Sequence, residues 1–303
     1  MQQLRVGLVG GGPWATSVHA PGLADHPGTA LTAVWTRRPE AARELAAAHG
    51  TLPCADFEEL LGLVDAVAFA VPPAAQAELA SRAAKAGKHL ILEKPIAPDA
   101  GQAGRLAEAV REAGVVALVV LTLRYAMQTR EWLADLGHTG GWSGGSARWL
   151  SGALLSSRYG GSPWRHDLGA LADIGPHVID LMDAALGEIT GVLAAHRGAD
   201  DLWQLLFEHR GGATSTAALS LRLPIDPTVI EFAVYGEHGY RALGRKPGAA
   251  QECYTALLDD FAAMVASDTR DHPCDVDRGL HLQCLLDQAR RAASGQASTR
   301  SPG

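Results

Sequence analysis

Two residues of the chain have types and a spacing that could transfer a proton. Asp173 and His177 are four positions apart, which places two side chains on one face of a continuous helix. An imidazole can accept a hydroxyl proton while hydride leaves the carbon, and a carboxylate can orient that imidazole. The same spacing is also typical of a helix cap beside a packed histidine. Pro176 fits a helix that begins near Asp173 and otherwise implies a kink.

A second chemical candidate is the lysine of Glu93-Lys94-Pro95, directly after the apolar segment 88–92. An ammonium group beside a reacting carbon can hold a substrate oxygen and stabilise the charge that develops on it. Neighbouring positive charge and burial can lower the pKa of such a lysine. Pro95 restricts the local backbone and is compatible with a cis bond. A lysine after a strand can equally be an ordinary surface residue.

The opening of the chain has the pattern of a phosphate-binding turn. Residues 4–9 form a short apolar run, and Gly10, Gly12 and Ala15 follow with G-x-G-x-x-A spacing. Gly10 permits a tight turn, Gly12 lets the backbone approach a pyrophosphate, and the following helix offers free N–H groups. The alternative is an ordinary glycine-rich turn. We predict cofactor contacts at Gly10, Gly12, Pro13 and Trp14.

The end of the second predicted strand, residues 31–35, indicates which dinucleotide is bound. An NAD site usually carries Asp or Glu there, whereas this chain has Thr36-Arg37-Arg38. Guanidinium groups pair with a 2′-phosphate through charge-assisted hydrogen bonds, and a carboxylate would repel it. We therefore predict a preference for NADP(H), with NAD(H) still possible. The alternative is that both arginines are solvated charges where a helix begins.

From residue 4 to about residue 122, short apolar runs alternate with segments of helical pattern. This alternation predicts an α/β fold that begins with a doubly wound parallel sheet, whose ligand binds at the carboxyl ends of the strands. After residue 122 the strand candidates have few helices between them, which predicts a mostly antiparallel sheet. This change of topology places a domain boundary near residue 122.

The second half of the chain is predicted to contain five strands, four helices and a loose tail. The strands are 146–151, 189–196, 202–209, 214–223 and 229–235. The helices are 125–136, 171–186, 251–266 and 276–293, and the tail is 294–303.

Net charge, the length of the apolar runs and the spacing of the cysteines bear on which classes of protein the chain can belong to. A net charge of −7 does not support a nucleic-acid partner. No apolar run is long enough to span a bilayer, and the chain starts directly with a strand, so we expect a cytoplasmic protein. The four cysteines show no C-x-x-C spacing. Buried reduced thiols are therefore expected, and no metal site is predicted.

In this order, the segments resemble the family of glucose–fructose oxidoreductase, inositol 2-dehydrogenase and a rhizopine-catabolism protein. The likeness covers nearly the whole chain, and its most specific signals are Glu93-Lys94-Pro95 and Asp173-x-Gly175-x-His177. The other matching segments are Gly10-Gly11-Gly12, Pro72-Pro73, Arg124-Tyr125, Trp164-Arg165 and residues 169–180.

The resemblance implies hydride transfer between a nicotinamide and a carbinol or ketone carbon of a sugar, sugar nucleotide or cyclitol. It implies that Lys94 binds the reacting oxygen, that His177 donates or accepts the proton, and that Asp173 positions both substrate and histidine. It also implies a Rossmann domain at residues 1–122 and a substrate-binding and oligomerisation domain at 123–303. In that second α/β domain the open sheet is expected to form the subunit interface of a homodimer or homotetramer. We expect further cofactor contacts at Pro72, Gln76, Glu93, Lys94, Trp164 and Arg165. Arg124, Tyr125, Tyr159 and Asp167 are candidates for substrate contact and equally for packing or surface positions.

Three departures from the family pattern concern the pocket. Many members have His where this chain has Gln76, and Asp167-Leu168 stand where glycine is frequent. The chain is also short, so loops of its second domain must be reduced. Two other functions are open: a non-catalytic dinucleotide-binding regulator, and a glycosidase of the same fold that oxidises its sugar transiently.

Overall fold

The computed structural model describes residues 3–155, 163–244 and 248–298. The chain divides into two compact units. The first comprises Met1–Tyr125 and Ala249–His281, and the second comprises Ala126–Gly248 and Leu282–Gly303. The predicted division at residue 122 placed everything after it in the second domain, whereas residues 249–281 pack with the first unit.

The elements follow one another along the chain as strands and helices of moderate length. The strands are β1 (Leu4–Val9), β2 (Thr29–Trp35), β3 (Leu52–Pro53), β4 (Ala66–Phe69), β5 (His89–Leu92), β6 (Ala117–Val119), β7 (Trp142–Leu150), β8 (Ile189–Arg197), β9 (Trp203–His209), β10 (Thr214–Ser220), β11 (Val229–Gly236) and β12 (Gly239–Gly244). The α-helices are α1 (Ala20–Asp25), α2 (Pro39–His49), α3 (Phe57–Leu63), α4 (Pro73–Lys85), α5 (Ala100–Ala113), α6 (Thr122–Tyr125), α7 (Met127–Thr139), α8 (Pro163–Asp173), α9 (Gly175–Leu186), α10 (Ala250–Ser267) and α11 (Val276–Ser298). A π-helical turn, Ala15–His19, leads into α1.

The first unit contains a six-stranded parallel sheet with the order β3-β2-β1-β4-β5-β6. Its central strands are apolar because helices cover both faces, and all four residues of β4 are buried. The predicted doubly wound sheet is confirmed. The strand order reverses between β1 and β4, so the ends of these strands form the crevice where such sheets bind ligands.

Local sequence signals set several helix boundaries in the first unit. Asp56 caps α3, where its carboxylate accepts a hydrogen bond from Glu59 N at 2.8 Å. Asp99 caps α5 in the same way by accepting a hydrogen bond from Gln102 N, also at 2.8 Å. This hydrogen bond lowers the pKa of Asp99. Gly114 ends α5 with φ 61°, a conformation that favours glycine.

Helix α10 explains why residues 249–281 belong to the first unit. It packs on α1, α6 and the π-helical turn. Its inner face buries Tyr254, Leu257, Leu258 and Phe261 almost completely. Burial of each such side chain stabilises the fold by about 1.5–3 kcal/mol, so this face holds the segment in place.

The second unit contains a six-stranded sheet with the order β12-β11-β7-β10-β9-β8. Neighbouring strands are antiparallel except for β7 and β10, which are parallel. The predicted open, mostly antiparallel sheet is confirmed. Strand β12 was not predicted, because Gly-Tyr-Arg-Ala-Leu-Gly lacks the alternation of a half-buried strand.

One helix prediction in the second unit is wrong. Residues 171–186 were expected to form a single helix, but α8 ends at Asp173 and α9 begins at Gly175. Pro176 lies in the first turn of α9, where its missing N–H costs nothing. In a continuous helix its ring would collide with the carbonyl group of Ala172. Asp173 and His177 therefore do not share one face of an unbroken helix.

The end of the chain also differs from its prediction. Helix α11 continues to Ser298, so the predicted loose tail begins with helical residues. Among the described residues, no helix is both long and apolar enough to cross a membrane.

Candidate functional site

The glycine turn lies between the ends of three neighbouring strands. Gly10 N donates a hydrogen bond to Trp35 O at 3.0 Å, and Ala70 N donates to Val9 O at 2.8 Å. Gly10 has φ 125°, and a Cβ there would collide with the carbonyl oxygen of Ala70. A Cβ at Gly12 would meet no atom within 4 Å. The turn is therefore tight at its first glycine and open at its second.

A helix starts directly after this turn and contributes its free amide groups. Helical structure begins at Pro13, and Thr16 N donates to Gly12 O at 3.1 Å. The first N–H groups of a helix have no intrahelical partner and carry partial positive charge. The open glycine and the helix start fit the pyrophosphate of a dinucleotide.

The segment after β2 presents two guanidinium groups to solvent. The hydroxyl of Thr36 donates to Arg38 O at 2.5 Å and accepts from Arg38 N at 3.2 Å, which holds a tight turn. The side chains of Arg37 and Arg38 are exposed. No described residue forms an ion pair with either of them. Arg38 lines a surface cavity together with Gly11 and Glu40.

A buried glutamine holds the loop that carries Lys94. The side chain of Gln76 is fully buried. Its Oε1 accepts from Glu93 N at 2.8 Å, while its Nε2 donates to Glu93 O at 2.6 Å and to Ile96 O at 3.2 Å. The Lys94–Pro95 bond is cis, as the sequence suggested. The cofactor contact expected at Gln76 stays a prediction; its observed contacts are to the loop.

The carboxylate of Glu93 is held from the other side by two N–H groups. Its Oε1 lies 2.7 Å from Trp14 Nε1 and 2.9 Å from His19 Nε2. His19 Nδ1 lies 2.9 Å from the hydroxyl of Tyr254. Sequence reasoning missed both His19 and Tyr254. A histidine among the apolar residues of the first helix was the available signal, and Tyr254 is 235 positions further along the chain.

In the second unit, Asp173 pairs with an arginine. Arg165 Nε donates to Asp173 Oδ2 at 3.0 Å, and both side chains remain partly accessible. The guanidinium group lies over the ring of Trp164, 4.6 Å from its centroid. The ion pair and the ring together orient this arginine. Trp164, Arg165 and Asp173 thus form one cluster on α8.

His177 lies in the first turn of α9 and is almost completely buried, with 6% of its surface exposed. Its ring stacks on Trp149 of β7, with centroids 5.8 Å apart and planes 29° apart. This contact fixes the plane of the imidazole. Trp149 is therefore a residue that orients His177, and the sequence carried no signal for that contact.

A buried aspartate fixes the kink of α8 that precedes Asp173. Gly169 has φ 70°, and a Cβ there would collide with the Asp201 carboxylate. That carboxylate accepts from Ala170 N at 2.5 Å, Arg197 Nε at 2.8 Å and Trp203 Nε1 at 3.0 Å. Asp201 caps the last turn of α8, and sequence reasoning did not identify it.

We predict that Asp201→Asn lowers the free energy of unfolding by about 1–3 kcal/mol. The two carboxylate oxygens of Asp201 accept three hydrogen bonds. In asparagine an NH2 group replaces one of these oxygens, so it would face an N–H donor that it cannot accept from. The matched control is Asp200→Asn, since Asp200 is exposed and has a similar φ of 53°. Urea unfolding midpoints measure both changes. Equal midpoints for the two variants would contradict this function of Asp201.

The expected substrate contacts lie in different environments. Arg124 is half-buried on α6, and Asp167 is exposed on α8. Tyr125 is 4% exposed, and its ring stacks on His272. Pro72, which was predicted as a cofactor contact, is half-buried directly before α4. Tyr159 lies outside the described residues. No group of three metal-ligating side chains occurs within the ranges that the structure describes.

These features define a class: a Rossmann unit with a phosphate-binding glycine turn, combined with a unit built on an open mixed sheet. The chain belongs to the GFO/IDH/MocA oxidoreductase family. Residues 4–121 match the model described as "Oxidoreductase family, NAD-binding Rossmann fold". Residues 143–241 match the model described as "GFO/IDH/MocA C-terminal domain".

Two relatives are named dTDP-3,4-didehydro-2,6-dideoxy-alpha-D-glucose 3-reductase. The protein from Streptomyces violaceoruber is 32% identical over 66% of this chain and 61% of its own length. The protein from Actinomadura kijaniata is 31% identical over 66% of this chain and 62% of its own length. The match thus spans less than two thirds of either reductase.

A similar solved structure is the WlbA dehydrogenase from Bordetella pertussis, which was crystallised with NADH and UDP-GlcNAcA. The TM-score is 0.85, with 23% identity over 97% of this chain and 98% of that one. At this identity the likeness shows a shared fold.

Proposed function

We propose that this chain is an NADP(H)-dependent oxidoreductase that transfers hydride between the nicotinamide and a carbinol or ketone carbon of a sugar, sugar nucleotide or cyclitol. The observation that carries the proposal is the fixed loop of Lys94 after β5. It lies at the carboxyl edge of the same parallel sheet whose β1 ends in the glycine turn. That edge is where such sheets bind nucleotides. The two relatives named as keto-sugar reductases support the substrate class.

The proposed chemistry assigns one task to each of three side chains. A nicotinamide held at this edge of the sheet would supply or accept the hydride. Lys94 holds the reacting oxygen and stabilises its negative charge. His177 transfers the proton of that oxygen, with its ring plane set by Trp149. Asp173, paired with Arg165, positions the substrate near the histidine.

The preference for NADP(H) is proposed from the segment after β2. Arg37 and Arg38 are exposed guanidinium groups without ion-pair partners among the described residues. The tight turn at Thr36 presents them directly beyond the strand. Their charges suit a 2′-phosphate, which NAD(H) lacks.

We predict that the double variant Arg37→Ala/Arg38→Ala raises the Kd for NADPH by about 10–100-fold. The Kd for NADH should change by less than about threefold, because only the phosphate contact is lost. Arg43→Ala is the control, since Arg43 is an exposed arginine of α2 that pairs with Glu40 at 3.5 Å. Fluorescence titration with each cofactor measures the constants. Equal weakening of NADPH and NADH would contradict the assignment to the 2′-phosphate.

We also propose that the sheet of the second unit forms a subunit interface in a homodimer or homotetramer. Two large apolar side chains on its strands support this. Leu193 on β8 is 54% exposed, and Tyr235 on β11 is 45% exposed. A second copy of the chain would cover such surface.

A further inference from the structure

Building on the proposed function, we infer that His19, Tyr254 and Trp14 are positioning residues for Lys94. They hold the carboxylate of Glu93, and through it the backbone from which Lys94 extends. None of the three has to touch the substrate for this function. The inference concerns how the loop is held, and it goes beyond assigning Lys94 to oxygen binding.

The hydrogen bonds of this cluster link Glu93, His19 and Tyr254 in one chain, and one tautomer of His19 satisfies all of them. An ionised carboxylate only accepts, so Trp14 Nε1 and His19 Nε2 donate to Glu93 at 2.7 and 2.9 Å. With its proton on Nε2, the neutral imidazole accepts at Nδ1 from the Tyr254 hydroxyl, 2.9 Å away. Burial and the negative charge of Glu93 raise the pKa of Tyr254 well above its ordinary value. Tyr254 therefore keeps the proton that it can donate to Nδ1.

The cluster is shielded from water, which makes its hydrogen bonds strong determinants of position. His19 and Tyr254 are fully buried, and the side chain of Glu93 is 12% exposed. A Cβ at Gly22 would collide with the ring of Tyr254, so this ring is packed closely against α1. Breaking one link would leave a buried donor or acceptor unsatisfied, which would destabilise the arrangement that holds the loop.

Lys94 lies between two sets of anchors. On one side, Glu93 is fixed through its side chain by His19 and through its backbone by Gln76. On the other side, Gln76 also binds Ile96 O at 3.2 Å. Trp14 belongs to the first helical turn after the glycines, so one carboxylate ties the lysine loop to the phosphate-binding turn.

The test compares two replacements of His19. Glutamine carries one donor and one acceptor at nearly the spacing of the two ring nitrogens, whereas leucine carries neither. We expect His19→Leu to lower kcat by about 10–100-fold, because displacement of a catalytic group by about 1 Å can cost that much. We expect His19→Gln to stay within about threefold of wild type. Both variants should bind NADPH within about threefold of wild type.

A substrate-free measurement separates this inference from the proposed function. The chain contains four lysines, so reductive methylation with carbon-13 gives few signals, and Lys94→Ala assigns the one from Lys94. We expect His19→Leu to shift or broaden that signal and His19→Gln to preserve it. If this pattern appears while no keto sugar is turned over, the positioning inference stands and the proposed function fails. An unchanged Lys94 signal in His19→Leu overturns the inference.

A milder variant covers the case in which His19→Leu does not fold. Tyr254→Phe removes only the hydroxyl group that orients His19, and we expect kcat to fall about 3–10-fold with the Lys94 signal shifted. Thr255→Val is the control, because it removes an exposed hydroxyl from the same helix. Among the described residues, that hydroxyl bonds only to Gln251 O, at 3.1 Å. If Tyr254→Phe and Thr255→Val behave alike, Tyr254 is not a positioning residue.

Discussion

Replacement of His177 by alanine is expected to lower kcat for keto-sugar reduction by about 10²–10⁴-fold, the usual contribution of a general acid or base. NADPH affinity should stay within about threefold, since the change removes a proton donor and leaves the glycine turn intact. The structure gives this residue a defined ring plane through its stacking on Trp149. Steady-state kinetics with NADPH and a keto sugar nucleotide measure kcat, and titration measures cofactor binding.

The control for this variant is His196→Ala, which removes an exposed imidazole from β8 of the same unit. A purely packed histidine would give a different pattern: a lower Tm for His177→Ala, with kcat unchanged. That outcome would contradict the proton-transfer function. Product analysis on the wild type distinguishes the two enzymatic alternatives, because a glycosidase cycle with transient oxidation consumes no net cofactor.

Replacement of Lys94 by methionine is expected to lower kcat/KM by about 10²–10³-fold, the effect of losing one group that stabilises a developing oxyanion. Methionine keeps the apolar stem and removes the charge. The loop should keep its conformation, because its anchors are the carboxylate of Glu93 and the backbone contacts of Gln76. The Tm should therefore change little while the reaction slows.

Lys85→Met is the control for this second variant, since Lys85 is an exposed lysine at the end of α4. It should match the wild type in kcat/KM and in NADPH affinity. If Lys94→Met and His177→Ala both retain wild-type turnover on an identified substrate, the assigned chemistry is wrong. A non-catalytic dinucleotide-binding protein would then be the better description.

Short-range signals in the sequence determined most of the first unit. The predicted bounds of β1 agree with the structure, and the carboxylates of Asp56 and Asp99 cap α3 and α5. These features depend on neighbours within a few residues: a buried apolar run, a capping carboxylate or a glycine with positive φ. Such interactions are visible in one sequence because both partners lie in one short window.

The second unit shows where those signals fail. The break between α8 and α9 is placed by Pro176 together with the kink at Gly169. Gly169 adopts its conformation because Asp201, 32 residues later, accepts the hydrogen bond of the next amide group. The spacing of apolar residues in 163–186 gives no indication of that contact. The sequence therefore predicted one helix over 171–186, where the structure has the end of α8 and then α9.

Tertiary structure alone decided how the candidate residues are held. The motif identified Lys94, but Gln76, His19 and Tyr254, which fix its loop, come from three other helical segments of the first unit. The sequence specified which groups can do chemistry, since residue type determines acidity and charge. Their positions depend on buried hydrogen bonds between distant segments, which form only when the core excludes water from these donors and acceptors.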